Sequence, residues 1–500
     1  MARVSIVVIA LSGAITLLFT ILFAPGSVGY VVAASVLLLA IAFSGLDPVR
    51  LVCACFALSI MAHTLKRAIF LAGDQPRGAY YAIVATPIVL AAILTLLLWP
   101  KRRFHFPTSG VFLIAFIAVA VANTLVRSRQ FGAAAGLFQY IGASVFYFAG
   151  LCLPDRALKP LAKTCFRVGL ASLAYGLWQF LSGPTLVDIA WANRASDFSG
   201  LANRVLSQIN PSSDLYSDRL FRPYGLHSDT FAWGLSLVTL VVMAAISETR
   251  RRSQLRFPVA ASLIAIAGLG IGLSRSPIAG FLACTIFAFA AYRKWLKSPI
   301  LMVAALSVAS VLIVTVGQYL TSRFVNLDES RQQDTIAARY LQVGTISART
   351  NAGAQFLTAL SENPIFGQGL EASAAGTSKG GDVDPDELAL SHNIAVDLIF
   401  VSGGLGALCF FGFIYHFFGE VLALRRSSND PLAVAVSCWI FGAVGGFLIT
   451  GFLSGAAFLN SDFFLLMGIG AGWAARRKLQ QRPRPVIIKR AEPIGALARI

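Results

Sequence analysis

The chain has 500 residues, of which 57% are hydrophobic and 13% are charged, and its mean hydropathy is +0.73. Because a soluble domain has about 25% charged residues and disorder requires low hydrophobicity, this composition excludes both soluble domains and a disordered chain. The formal net charge is +18, and in a membrane protein such an excess is interpreted from its position between the spans. We therefore expect an all-α polytopic membrane protein.

Long apolar stretches follow one another along most of the chain. A spanning helix requires about 20 mainly apolar residues. Because some candidates are short or flanked by charge, we predict 12–14 transmembrane helices. The first stretch is too long for a signal-peptide core and lacks a clear cleavage site, which favours a retained span. The candidate spans are 3–23, 28–45, 49–65, 80–99, 109–126, 134–153, 165–182, 229–247, 257–273, 277–292, 299–320, 393–418, 432–453 and 461–475.

Basic residues between the spans predict the orientation. Clusters at 101–103, 250–252 and 425–426 and in the tail from 476 fall on one side. By the positive-inside rule that side is cytoplasmic, so we expect both termini in the cytoplasm. The basic tail also allows an RNA-binding interpretation, but topology explains the charge better, and we expect no nucleic-acid partner.

Two long loops lie on the opposite, periplasmic side. Long connections without the composition of disorder are usually functional. In the second loop, helical spacing over 331–343 and 345–360 predicts amphipathic helices that lie on the outer membrane face or over a cavity. The predicted division is N-terminal transmembrane helices 1–182, first periplasmic loop 183–228, transmembrane helices 229–320, large periplasmic loop 321–391, C-terminal transmembrane helices 392–475 and basic cytoplasmic tail 476–500.

Polar side chains collect at four places, all on the predicted periplasmic side. An arginine close to the bilayer is costly, which suggests an anionic partner. A carboxylate within an apolar helix likewise requires a partner or water. The four places are residues 222–229 with Arg222 and His227; residues 274–277 with Arg275; Arg349 with residues 364–369; and residues 391–393 with His392 and Asn393, followed by Asp397.

Each place also has a plainer interpretation. Arg222 and Arg275 could be interfacial anchors that pair with lipid headgroups. Arg349 could be a solvated helix charge. His392 could cap a helix start, since its neighbours Ser391 and Asn393 are good N-cap types.

The residues give little support to metal or disulfide chemistry. The seven cysteines all fall in or beside apolar runs, which favours buried small hydrophobes over a zinc site or a disulfide framework. The acidic run 382–387 fails as a calcium loop, because the sixth and twelfth positions hold Glu387 and Asn393 instead of Gly and Glu. P-loop, zinc-protease and serine-hydrolase motifs do not occur. We expect no metal and no cofactor.

In their order along the chain, the motifs resemble those of the O-antigen ligase and polymerase superfamily, membrane enzymes that act on undecaprenyl-diphosphate-linked sugars. The resemblance covers about residues 200–475. It departs from the family at 227–229, where members commonly have Asn-type residues. The matching motifs are Arg222-x-x-Gly225 with Leu226, the run 273–276, the run 362–369, and His392-Asn393, with ten residues between His392 and Gly403.

The resemblance implies a fold similar to the GT-C class of glycosyltransferases and a metal-independent reaction. It assigns Arg222 and Arg275 to a clamp on the donor diphosphate, with Arg349 as a weaker third member, because guanidinium groups offer forked, permanent charge. The resemblance assigns His392 either as the general base that takes the proton of the acceptor hydroxyl or as a residue that orients the acceptor, and Asp397 would orient His392. We assign His227 and Asn393 to substrate binding.

We therefore predict a metal-independent glycosyltransferase at the periplasmic face of a bacterial inner membrane, which polymerises O-antigen or exopolysaccharide repeat units. The sister alternative is an O-antigen ligase that transfers glycan to lipid A-core. Two alternatives belong to other functional classes: a transporter or flippase of lipid-linked glycans, and a non-catalytic assembly partner. The predicted partners are the polyprenyl-diphosphate-linked glycan, a sugar hydroxyl acceptor, the bilayer, and chain-length regulator and flippase proteins.

Overall fold

The computed structural model describes residues 25–101, 106–127, 132–196, 202, 205–206, 222–249, 256–272, 274–296, 298, 364–367, 394–454 and 460–480. Over these ranges the chain is α-helical with short 3-10 turns and has no strand, which confirms the predicted all-α class. The helices are α1 (Val28–Ser44), α2 (Pro48–Ala68), α3 (Arg77–Leu98), α4 (Thr108–Arg127), α5 (Gly132–Leu151), α6 (Leu158–Ser182), α7 (Leu186–Ala195), α8 (Thr230–Glu248), α9 (Arg256–Ile271), α10 (Arg275–Tyr292), α11 (Ile394–Ser427), α12 (Pro431–Ser454) and α13 (Ser461–Gln480).

Within the described part of the chain, six helical stretches are long and apolar enough to cross a membrane, as expected for a multi-pass protein. They are Pro48–Ala72, Arg77–Leu98, Thr230–Glu248, Arg275–Tyr292, Ser402–Ser427 and Pro431–Leu453. Helices α1, α4, α5 and α9 contain shorter apolar stretches, which are Val28–Ser44, Thr108–Asn123, Gly142–Leu151 and Arg256–Ile271. The candidate spans 3–23 and 299–320 and the amphipathic helices predicted at 331–343 and 345–360 lie outside the described residues. The total of 12–14 spans, the likeness to GT-C and the predicted division of the chain therefore stay predictions.

Glycines set the close packing of α10 against α12. A Cβ at Gly446 would lie 2.3 Å from the carbonyl oxygen of Gly280, and one at Gly442 would lie 2.4 Å from that of Cys284. No side chain fits between these backbones, so the helices approach more closely than larger residues would allow. Small residues at membrane-helix interfaces act in this way.

Contacts between helix termini divide the bundle into two ends. At the first, which we call the basic end, Arg425 donates to the carbonyl oxygen of Tyr292 at 2.8 Å, and Arg476 lies 3.3 Å from Asp155. Arg477 pairs there with Asp430 in the turn between α11 and α12. At the other end, Thr450 near the end of α12 donates to the carbonyl oxygen of Ser276 at the start of α10.

The candidate motifs that the structure describes, which are residues 222–229, 274–277 and 364–367, lie at this second end, which we call the motif end. Residues 222–229 precede α8, whose first residues pack beside the start of α10. On α11, Gly403 lies 22 residues before Arg425, which corresponds to about 33 Å along a helix axis. The fold therefore carries the motifs on helix termini that face away from the basic end.

Candidate functional site

Residues 222–229, which we call the Arg222 segment, form the entry to α8. Asp229 is the N-cap of this helix, and its carboxylate accepts a hydrogen bond from the backbone N–H of Ala232 at 2.8 Å. Thr230 donates its hydroxyl to the carbonyl oxygen of Pro223 at 3.2 Å. The segment therefore turns back onto the first turn of α8.

Two side chains of α6 bind successive backbone N–H groups of the segment. Gln179 accepts from Tyr224 at 3.1 Å and from Gly225 at 3.0 Å, both through its Oε1 atom. Ser172 accepts from Leu226 at 3.1 Å. Buried backbone donors require partners, and here a span of the N-terminal third supplies them. The path of the Arg222 segment is therefore set by α6.

Gly225 has a conformation and a position that exclude other residues. Its φ of +56° is left-handed, which favours glycine. A Cβ at this position would lie 2.3 Å from the hydroxyl oxygen of Ser172 and 2.8 Å from its carbonyl oxygen. The glycine of the Arg222-x-x-Gly225 motif is therefore required where the segment crosses α6.

His227 is packed into the same junction. It is 4% exposed, and its Nδ1 atom lies 3.2 Å from the hydroxyl of Ser172. Burial, assisted by the nearby charge of Arg67, lowers the pKa of His227 to about 3, so the imidazole is neutral at neutral pH. The burial of His227 and its contact with Ser172 indicate that the side chain helps to hold the segment against α6. Its predicted role in substrate binding stays a prediction.

Arg275 begins α10 at the same end of the bundle. It is exposed and follows Ser274, whose backbone is extended. Two close approaches join this region to α8: a Cβ at Gly234 would lie 2.2 Å from Pro277, and one at Gly272 would lie 3.3 Å from the side chain of Thr230. The structure therefore brings together the elements that carry Arg222 and Arg275.

Residues 364–367 and Gly403 meet at a bend in α11. Gly403 has φ +65° and ψ −175°, so the regular helix is interrupted. The N–H groups of Gly404 and Leu405, which follow the bend, donate to the carbonyl oxygens of Pro364 at 2.8 Å and Ile365 at 3.2 Å. The bend exposes backbone donors, and the loop satisfies them.

The amide of Asn123 on α4 binds the other side of this loop by donating to the carbonyl oxygen of Phe366 at 2.5 Å. A Cβ at Gly403 would lie 2.1 Å from the carbonyl oxygen of Ile365, so the contact needs a residue without a side chain. Two motifs that are far apart in sequence thus form one packed unit at the motif end.

Asp397 lies on the short part of α11 that precedes the bend. It is 9% exposed and belongs to the first turn of the helix, where a carboxylate interacts favourably with the helix dipole. His392, Asn393 and Arg349 lie outside the described residues. The predicted roles of these residues and of Asp397 stay predictions.

Among the described residues, no group of three or more His, Cys, Asp or Glu side chains is arranged to hold a metal ion.

Motif spacing and hydropathy do not indicate Ser172, Gln179 or helix α7. A signal was present for Gln179, because a polar amide inside an apolar span requires a hydrogen-bond partner. Ser172 carried no such signal, since serine is common at membrane-helix interfaces. Helix α7 lies in the first long loop and is too short to stand out by hydropathy.

Comparison with known proteins supports the resemblance. Residues 260–411 match the sequence model of a family described as O-antigen ligase. The matched range contains Arg275, Arg349, His392 and Asp397 and begins after the Arg222 segment. A search of curated proteins found no match to the chain.

Proposed function

We propose, on the premise that the chain is a member of the O-antigen ligase and polymerase superfamily, that it transfers glycan from a polyprenyl-diphosphate carrier at the periplasmic face of the inner membrane. The transfer joins repeat units of a surface polysaccharide. The observation that carries this proposal is the placement of Arg222 and Arg275 on adjoining elements at the motif end.

The arginines suit a diphosphate leaving group. As the bond between the anomeric carbon and the phosphate oxygen breaks, negative charge grows on the diphosphate. Guanidinium groups held on fixed elements stabilise that charge, because they donate several hydrogen bonds and keep their charge at any physiological pH. Arg349 contributes a third, weaker contact, and the reaction proceeds without a metal ion or cofactor.

We assign the activation of the acceptor to residues at the start of α11 and just before it. The oxygen of the acceptor hydroxyl forms the new bond to the anomeric carbon, and its proton passes to His392, a suitable base at neutral pH. Asp397 orients this imidazole, and Asn393 and His227 assist substrate binding. The buried position of Asp397 near the bend supports this role, because a carboxylate there is held in place by the packing of the helix.

Catalysis accounts for the charges better than transport does. Transporters commonly place ionisable groups near the membrane midplane, where the substrate passes. In the described residues, Arg275 instead begins α10 and Arg222 lies in the segment before α8, both at one end of the bundle. A ligase would use the same donor chemistry with lipid A-core as acceptor, so the product distinguishes the two activities.

The test uses purified protein in lipid nanodiscs with a synthetic polyprenyl-diphosphate-linked repeat unit, and products are separated by gel and mass spectrometry. We expect the wild type to form a ladder of polymer. Removal of a preorganised donor typically costs about 10²–10³-fold in kcat, so we expect Arg275→Ala and His392→Ala to lose activity on that scale. Arg256→Ala, at an exposed residue that begins α9 at the opposite end, is the control and should keep full activity.

Three outcomes would contradict the proposal. Wild-type protein that forms no glycosidic bond but moves the lipid-linked donor across a vesicle membrane would indicate a transporter. Transfer to lipid A-core without polymer would indicate a ligase. Full activity of both variants would remove Arg275 and His392 from the reaction.

A further inference from the structure

A buried ion pair lies directly behind the Arg222 segment. Arg67 on α2 and Asp188 on α7 are 3.2 Å apart, and their side chains are 1% and 0% exposed. The pair formed by Arg476 and Asp155 is 18% and 50% exposed by comparison. Burying two charges costs desolvation energy that their attraction only partly offsets. Stability alone is therefore a poor explanation for this pair.

Arg67 contacts the Arg222 segment directly. Its guanidinium carbon lies 4.4 Å from the centre of the Tyr224 ring, and its Nη2 atom donates to the carbonyl oxygen of Gly225 at 3.5 Å. The same nitrogen donates to Thr64 at 3.2 Å, and Thr64 in turn donates to the carbonyl oxygen of Leu226 at 3.1 Å. Arg67 thus reaches three consecutive residues of the segment.

Asp188 reaches the segment through α6. Its Oδ2 atom accepts from the side-chain amide of Gln179 at 3.0 Å, and this bond orients the amide. The Oε1 atom of Gln179 then accepts from Tyr224 and Gly225. Asp188 is itself held by Thr185 in a capping box at the start of α7. Arg67 directly, and Asp188 through Gln179, therefore both contact Tyr224 and Gly225 of the Arg222 segment.

The position of Arg222 follows from that of its neighbours. Tyr224 is two residues after Arg222, and Pro223 between them has a fixed φ near −65°. A backbone that is fixed at Tyr224 and Gly225 therefore limits where the Arg222 side chain begins. Reacting groups require such placement, since an error of about 1 Å can cost about 10²-fold in rate.

We propose that Arg67 and Asp188 are positioning residues that hold the Arg222 segment, and with it the Arg222 guanidinium, against the donor diphosphate. This inference rests on the proposed function. It assigns a role in the reaction to α2 and α7, which lie outside the range that matches the family.

The test is a double-mutant cycle on the purified enzyme in nanodiscs, with the synthetic polyprenyl-diphosphate-linked repeat unit as donor. Arg67→Lys keeps the charge but loses the planar contact with Tyr224 and the forked bonds. We expect about a 10-fold or larger loss in kcat with KM for the acceptor unchanged. Because Arg67 acts through Arg222, adding Arg67→Lys to Arg222→Lys should lower kcat less than about 2-fold further.

Tyr224→Leu is a second variant that interrupts the same contact while leaving the ion pair intact. It should show the same loss of kcat and the same non-additivity with Arg222→Lys. Arg194→Lys is the matched control, because Arg194 lies on the same helix α7 and pairs with Asp74 at 3.5 Å in an exposed ion pair. The control should leave kcat unchanged.

The outcomes separate the inference from the proposed function. Wild type without glycan transfer would overturn the proposed function and the inference with it. An active wild type, with effects of Arg67→Lys and Arg222→Lys that multiply, would overturn only the inference. Losses that follow the fraction of folded protein, measured by size-exclusion chromatography and thermal unfolding, would assign Arg67 a purely structural role and would also overturn it.

Discussion

His227 makes the junction at the motif end sensitive to acid. Its pKa is about 3 in the folded protein, because burial and the charge of Arg67 disfavour the imidazolium, whereas its ordinary value is 6.5. A depressed histidine pKa means that the unfolded chain binds the proton more readily. The contribution of His227 to stability is therefore complete above pH 6.5 and is lost as the pH falls from 6.5 toward 3.

We expect His227→Asn to reduce this loss. At pH 4.5, His227 lowers the free energy of unfolding of the wild type by about 2–3 kcal/mol relative to neutral pH, since each pKa unit corresponds to about 1.4 kcal/mol. Thermal unfolding in detergent, measured between pH 7 and pH 4, should show a flatter decline for His227→Asn than for the wild type. His416→Asn, whose ring stacks on Phe112, is the control. An identical decline in all three proteins would exclude this role for His227.

The individual residues of the site differ in how far sequence predicts them. Motif spacing indicates Arg222, Gly225 and Arg275, and the structure explains why Gly225 cannot carry a side chain. The partners of Gly225 could not be found in this way. Gln179 is 46 residues away and Arg67 is 158 residues away along the chain. Only the packing of spans against each other determines which of many polar side chains reaches the segment.

The bend in α11 is an element on which the neighbouring loop depends. Alanine at position 403 would adopt φ +65° and ψ −175°, a conformation essentially restricted to glycine, at a cost of about 1–3 kcal/mol, and its Cβ would overlap the carbonyl oxygen of Ile365. We expect Gly403→Ala to displace residues 364–367 and to lower glycan transfer by about 10-fold or more. The nanodisc assay with the lipid-linked repeat unit measures this loss, and thermal unfolding reports the accompanying destabilisation.

Gly404→Ala is the matched control for this prediction. A Cβ at Gly404 would lie 3.3 Å from the carbonyl oxygen of Pro364, which a shift of a few tenths of an ångström relieves. Its activity should stay within about 3-fold of the wild type, because its backbone continues the helix after the bend. Equal activity of Gly403→Ala and the wild type would show that the docked loop does not contribute to the reaction.

Hydropathy predicts the spanning elements well because lipid requires long apolar helices. The predicted span 80–99 corresponds to α3, which is Arg77–Leu98, and the span 229–247 to α8, which is Thr230–Glu248. Hydropathy does not predict α7, which has only ten residues, and it does not predict the bend at Gly403. Glycines in a span usually indicate close packing, as at Gly446, and only the backbone conformation distinguishes a bend.

Within the described residues, the candidate motifs and the ion pairs of α13 lie at opposite ends of the bundle. Pairs such as Arg477 with Asp430 join helix termini at the basic end, while the Arg222 segment, Arg275 and the loop on Gly403 lie at the motif end. The positive-inside rule assigns the basic end to the cytoplasm. We therefore predict that the motif end faces the periplasm.

Thiol labelling in intact cells measures this orientation. We expect Ser228→Cys, in the Arg222 segment, to react with a membrane-impermeant maleimide in cells with a permeabilised outer membrane. Lys294→Cys, exposed after α10 at the basic end, should react only after the inner membrane is disrupted. The wild-type chain, with seven native cysteines, gives the background. If Lys294→Cys were labelled first, the motif end would face the cytoplasm, and a site that receives lipid-linked glycan from the periplasm would be excluded.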